Sequence, residues 1–191
     1  MSRGIMTPKS VLSAEDFERI RSLDTCTVSN AIERFNVRLR NEGFIHGCVH
    51  CQFPSFQPML GYAVTARASS SSAPMAVHCV GCVTNGAVRD LPAVEKTGFH
   101  LFAGSVAVSH SYAHLVDLGE PVEIGGLKIH PGDLVHGDRH GVHTIPHEIA
   151  AEIPKVAAAL IAEERELIEL CRSPGFSLKK LAARLRETNP G

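Results

Sequence analysis

A chain of 191 residues, 44% apolar and 20% charged, has the composition of an ordinary globular protein and the length for one domain with a substantial core. A formal net charge of −1 gives no electrostatic footprint for nucleic acid or an anionic membrane surface, so neither is expected as a partner. No apolar run reaches a membrane span, and the opening residues Met1 to Pro8 lack the apolar centre of a secretory signal, so a cytoplasmic location is expected.

Ser13 followed by Glu15 and Asp16 reads as a helix start, with the helix running to about Leu23. Asp24 or Thr25 can cap a second helix through Val28, Ala31, Ile32 and Phe35, which recur at helical spacing. From Asn41 to Pro58 the pattern dissolves into Gly, His, Cys, Pro and Phe, a long loop. Leu60 to Arg67 is a strand, and Ser69 to Pro74 a small polar linker. The apolar run Val77 to Thr84 predicts a buried strand, followed by a turn at Gly86 and a short helix from Leu91.

His100–Ala103, Val106–Ser109, Leu115–Leu118, Val122–Ile124 and Leu127–Ile129 follow as strands, the last two joined across Gly125-Gly126. Leu134–Gly137 and Val142–Ile145 predict a second hairpin. Pro146 then opens a long helix, kinked or divided at Pro154, and Ser177 caps a last one over Leu178–Arg186. Helices, then short strands around one helix, then a long C-terminal helix indicate an α/β fold: a mixed sheet or partial barrel flanked by helices. The chain is expected to be a single domain over 1–191, with N-terminal helices at 13–36, a sheet core with the site at 60–146, and C-terminal helices at 147–187.

Arg89-Asp90 is the first candidate site. Arginine offers a planar fork for a carboxylate and aspartate offers hard oxygens for a divalent cation, both at the end of a strand. The competing reading makes Asp90 the N-cap of the next helix and Arg89 a surface charge. Cys48, Cys51, Cys79 and Cys82 form two C-x-x-C pairs that could close a tetrahedral zinc site. The second pair lies in an apolar run, where residues three apart point to opposite faces, so core thiols are the preferred reading. His136, Asp138 and His140 alternate, with His143 beyond, and the period-2 pattern predicts the polar outer face of a hairpin rather than a metal site. Asp133, after Pro131-Gly132, reads as a turn residue. Glu148, Glu152, Glu163, Glu164 and Glu166 read as a solvated helix face, from which an early acid could reach a site across a subunit boundary.

Gly86-Ala87-Val88-Arg89-Asp90, Gly98-Phe99, Phe102-Ala103-Gly104, Gly132-Asp133-Leu134, Asp138, Gly141-Val142 and Ile145-Pro146 together resemble the RraA-like family. Leu23 to Ala31 and Gly61 to Ala66 fit its opening pattern. That family includes class II 4-hydroxy-4-methyl-2-oxoglutarate aldolases and regulators of ribonuclease activity. The resemblance implies a swivelling β/β/α fold and homotrimers or hexamers with sites near subunit interfaces. It implies that Arg89 binds substrate and that Asp90 helps hold Mg²⁺ or Mn²⁺. It also implies retro-aldol cleavage of a 4-hydroxy-2-oxo dicarboxylic acid to pyruvate and a second oxo acid, with oxaloacetate decarboxylation as a related activity. The family's further strand–loop–helix segment before Gly-x-x-Arg-Asp has no counterpart here, and Arg67-Ala68-Ser69 occupies the spacing of its carboxylate-binding glycine loop. A regulatory or binding protein without catalysis, or a degenerate aldolase, is the alternative that this departure raises.

Overall fold

A computed structural model describes residues 11–69, 79–108 and 114–188. Ser70–Pro74 of the expected linker, Val77 and His78 of the expected buried strand, and Ser109 lie outside them. Two capped helices open the described chain. Helix α1 (Ala14–Arg21) is capped by Ser13, whose hydroxyl accepts the Asp16 N–H, and α2 (Thr25–Glu33) by Asp24, whose carboxylate accepts the Thr27 N–H. The expected loop at 41–58 holds one short strand, β1 (His50–Cys51). Strands β2 (Met59–Tyr62) and β3 (Ala66–Ser69) replace the single strand expected over 60–67. Residues 70–80 join β3 to β4 (Gly81–Val88), which runs into α3 (Leu91–Glu95).

One strand, β5 (His100–Val106), replaces the two expected there. Strand β6 (His114–Leu118) follows, then the hairpin β7 (Val122–Ile124) and β8 (Leu127–Ile129) across Gly125-Gly126, both at positive φ. A second hairpin joins β9 (Leu134–Asp138) to β10 (Gly141–Ile145). Pro146 does not open the long helix. A 3-10 turn (Ala150–Glu152) comes first, and α4 (Ile153–Arg172) begins with Pro154 in its first turn, where the missing N–H costs nothing. Helix α5 (Leu178–Thr188) closes the described chain, with Ser177 Oγ accepting the Lys180 N–H. No described helix is long and apolar enough to cross a membrane.

The strands form open sheets in the orders β10-β9-β2, β1-β5-β4, β3-β6 and β7-β8. Strand β9 is the centre of the first, antiparallel to β10 and β2. Its alternating side chains enter two cores. Leu134, with Leu60 and Ile145, packs under Ile20, Val28, Ile32 and Ile153 of the helices. Val135, with Met59 and Val142, packs on Phe102, Ile45, Val49, Ile124 and Ile129. Phe102 of β5 is fully buried, and at about 2–3 kcal/mol for a side chain of that size it is a principal tie between the two sheets. Gly137 permits this approach, since a Cβ there would lie 2.9 Å from the Phe102 ring.

Two expectations are corrected. The His136-Asp138-His143 face points inward, with exposures of 0%, 7% and 4%. These residues sit on the helix side of β9 and β10, because β9 is covered on both faces and alternation alone cannot say which side is wet. The described part of the apolar run, from Cys79 into β4, is not buried. All described β4 side chains are half-buried or exposed, β4 is the edge of its sheet, and α3 buries no residue.

Asp138 ties the layers together. Its carboxylate accepts the Thr25 N–H at 2.8 Å and the Thr25 hydroxyl at 2.7 Å, across 113 residues of chain, and also the His140 N–H at 2.8 Å. Burial pushes its carboxyl up, but the hydrogen bonds from Thr25 and His140 outweigh that and hold it below the usual range. Replacing Asp138 with Ala leaves the first N–H of α2 and a buried hydroxyl unpaired. The expected loss is about 2–4 kcal/mol of unfolding free energy, measured by urea denaturation at pH 7.

Candidate functional site

The chain reaches Arg89-Asp90 through an irregular strand end. Strand β4 pairs with β5 in parallel, Thr84 opposite Ala103, and the register then shifts so that Ala87 lies opposite Ser105. Three residues of β4 thus span two of β5, a bulge at Asn85-Gly86. The Thr84 hydroxyl accepts the Gly86 N–H at 3.0 Å, which fixes the bulge. Gly104 makes room for it, since a Cβ there would lie 2.5 Å from the Asn85 carbonyl oxygen. Pairing resumes at Ala87 and continues to Val88 opposite Val106, and the Ala107 N–H donates to the Val88 carbonyl at 2.9 Å. Arg89 and Asp90 leave the sheet just beyond this clamp.

Asp90 occupies the N-cap position of α3 but does not cap it with its side chain. Its backbone is left-handed, φ 58° and ψ 31°, a conformation unfavourable to a side chain bearing Cβ. Its carbonyl accepts the Ala93 and Val94 N–H groups at 2.9 and 3.1 Å, so the backbone starts the helix while the carboxylate is directed elsewhere. That carboxylate meets the neighbouring guanidinium: Arg89 Nε donates to Oδ2 at 3.1 Å and Nη2 to Oδ1 at 3.4 Å. The side chains are 35% and 63% exposed, so this is a wet ion pair in reach of solutes. Such a pair can separate at little cost, the aspartate turning to a cation and the arginine to an anion.

The other candidates lie apart. Cys51 pairs with Phe102 on one edge of β5 and Cys82 with Leu101 on the other, so the two C-x-x-C motifs are separated by a strand. All six cysteines are free thiols, and no group of three or more His, Cys, Asp or Glu side chains among the described residues could hold a metal ion. Burial pushes the Cys51 thiol up. Asp133 is the turn residue expected, its carboxylate accepting the His130 N–H at 2.7 Å. A cavity of about 340 Å³ lined by Asp133, Thr144, Ile145, Pro146, His147 and Glu148 opens where β9 begins and β10 ends. Glu148 thus borders a cavity by the start of β9, where Tyr62 pairs with Leu134, and neighbouring Gly61 lies against Val80 at the beginning of β4. Arg89 is at the opposite end of that strand. The left-handed backbone at Asp90 had no signal in the sequence, because Asp is also a common capping residue.

The family model described as Aldolase/RraA, the RraA-like family, matches residues 68–143, a span that contains the bulge and Arg89-Asp90. Protein DlpA of Legionella pneumophila is 32% identical over 91 residues, which are 46% of this chain and 15% of that protein. A protein of Halalkalibacterium halodurans, provisionally named a 4-hydroxy-4-methyl-2-oxoglutarate aldolase, is 36% identical over 67 residues, 35% of this chain and 32% of that protein. The chain therefore spans under a third of the length of these two relatives. Streptomyces coelicolor RraAS2, described as an unusual member of the RNase ES inhibitor RraA protein family, superposes with a TM-score of 0.61 at 19% identity, over 86% of this chain and all of that one. Residues 68–143 thus match the RraA-like family model, and the chain shares its overall fold with a solved structure described as a member of the RraA protein family.

Proposed function

We propose that the chain is a divalent-metal-dependent carbon–carbon lyase acting on a 4-hydroxy-2-oxo dicarboxylic acid of the 4-hydroxy-4-methyl-2-oxoglutarate type, with Arg89 and Asp90 as its catalytic pair. The observation that carries this reading is Asp90 itself: a left-handed aspartate whose carboxylate forgoes the cap and faces an arginine at an exposed strand end. Backbone strain of this kind, about 1–3 kcal/mol, persists where a site uses it. The name of the Halalkalibacterium relative supports the substrate class.

The donor set fits Mg²⁺ or Mn²⁺ held by Asp90, since such ions keep several waters and bind through one or two carboxylates. When bound, the cation supplies Lewis-acid stabilisation for the charge that develops on the 2-oxo group. The protein's own contribution is to bind and orient. Arg89 donates two parallel N–H groups to a substrate carboxylate, fixing the dicarboxylic acid on the strand end. A base takes the proton of the 4-hydroxyl, the C3–C4 bond breaks, its electron pair becomes the enolate of pyruvate, and a second oxo acid leaves. Protonation at C3 completes pyruvate. Loss of carbon dioxide from oxaloacetate yields the same enolate, so decarboxylation at the same pair is part of the proposal. Assembly as a trimer or hexamer, in the cytoplasm, completes this reading.

A non-catalytic regulatory or binding role, or a degenerate aldolase, is the second reading. It draws on the open surface of β4 and α3 beside the pair and on the lack of a richer donor cluster among the described residues.

Proton–deuterium exchange into the methyl group of pyruvate, followed by NMR, tests enolate formation without requiring the natural substrate. Exchange is expected with Mg²⁺ or Mn²⁺ and is expected to fall about 100-fold or more in Arg89→Ala and Asp90→Ala. Absence of exchange with either ion in the folded protein favours the second reading. Asp90→Gly separates strain from chemistry: thermal denaturation is expected to show a gain of about 1 kcal/mol from relief of the left-handed backbone, with exchange still lost.

A further inference from the structure

The buried polar face of β9 and β10 has a chemistry that the Arg89-Asp90 site does not use. His136 Nδ1 and His143 Nε2 are 3.0 Å apart, on residues that are 0% and 4% exposed. The two imidazoles are paired across the hairpin, and one hydrogen bond joins them. His136 lies beside the Leu23 backbone and Asp24, at the link between α1 and α2. Two residues along the same face, Asp138 holds the N-terminus of α2. The pair therefore sits where the helical layer is fastened to the sheet.

We propose that the His136–His143 pair is a proton-operated lock between the α1–α2 layer and the β9–β10 hairpin, closed when the imidazoles share one proton and opened by proton uptake. A neutral pair has one N–H and one lone pair facing each other, which is a hydrogen bond. A singly charged pair keeps that bond but buries a charge. A doubly charged pair places two N–H donors face to face in a core, with no acceptor between them.

The surroundings set the direction. Burial pushes the His136 imidazole down to about 4, against Asp138, the Leu23 backbone and Asp24, which favour its charged form. Burial pushes His143 down to about 3, helped by His136 and by Arg38, whose guanidinium donates to the Thr144 carbonyl at 2.9 Å; Asp138 opposes. Leu60 of β2, opposite His136, adds no charge. Asp138 is held below the usual carboxylate range, so it stays ionised while the histidines titrate. A histidine released to solvent titrates near 6.5. The open form thus binds more protons than the closed form below about pH 6.5, and closure weakens as pH falls from there toward 4. Each histidine contributes up to about tenfold in the opening equilibrium per pH unit.

The test uses the full chain. Imidazole ¹⁵N–¹H NMR reports the charge of His136 and His143 from pH 7 to pH 4, and amide hydrogen exchange reports the protection of Thr25 and Val28 after correction for intrinsic rates. Both imidazoles are expected to be neutral at pH 5.5 wherever α2 is docked. Protection of Thr25 is expected to fall by more than tenfold between pH 6.5 and 5. In the double variant H136L/H143L that pH dependence is expected to vanish over the same range. The proposal is overturned if either imidazole is charged at pH 6 with Thr25 protection intact, or if the double variant keeps the pH dependence. Should the double variant fail to fold, the wild-type NMR titration decides alone.

Discussion

The molecule depends on a buried carboxylate that is fully answered. Asp138 ends the central strand β9, and its oxygens receive the first N–H and the first hydroxyl of α2. An ionised carboxylate in a core is costly unless its lone pairs are occupied, and those of Asp138 are occupied by a helix end and by the turn it begins. The same contact satisfies an N–H that no helix can satisfy internally. Two distant pieces of chain thereby solve each other's problem, and the cores on either side of β9 follow from where that contact holds the sheet.

The arrangement places structural polar chemistry and solvent-facing polar chemistry at different places. Around β9 buried polar groups bond to one another, His136 Nδ1 to His143 Nε2 and Asp138 to Thr25, while His136 Nε2 is buried without a hydrogen-bond partner among the described residues. At the end of β4 the Arg89 and Asp90 side chains are exposed and, among the described residues, paired with each other. A site that must exchange ligands with solution needs weak internal bonds, and a wet ion pair between sequence neighbours is one. The first region gives rigidity, the second availability.

Much of the fold was legible locally. Ser13 and Asp24 announced their helices, Gly125-Gly126 announced a hairpin, and the strand–helix junction at Arg89-Asp90 could be placed from apolar run, glycine and proline. Burial was not legible where it depends on distant partners. The run into β4 looked like a covered strand and is an exposed edge, whereas the alternating histidines looked like an outer face and are core. Both errors have one cause: periodicity reports the difference between two faces of a strand, and only tertiary contacts say what each face meets. The core-thiol reading failed for the same reason: Cys48, Cys79 and Cys82 are exposed and Cys51 is half-buried, with β5 between the two cysteine pairs. At the site, residue types could be read, but the backbone sign at Asp90 could not.

The Asn85-Gly86 bulge determines more than local geometry. Because three residues of β4 match two of β5, every side chain after it changes sides relative to an uninterrupted strand. The bulge is a one-residue inversion of parity placed just upstream of Arg89. Point substitutions around it can tune what the arginine meets, but only a change in length can move it to the opposite face. A single-residue insertion or deletion in this strand end would therefore displace Arg89 in a way that no substitution can.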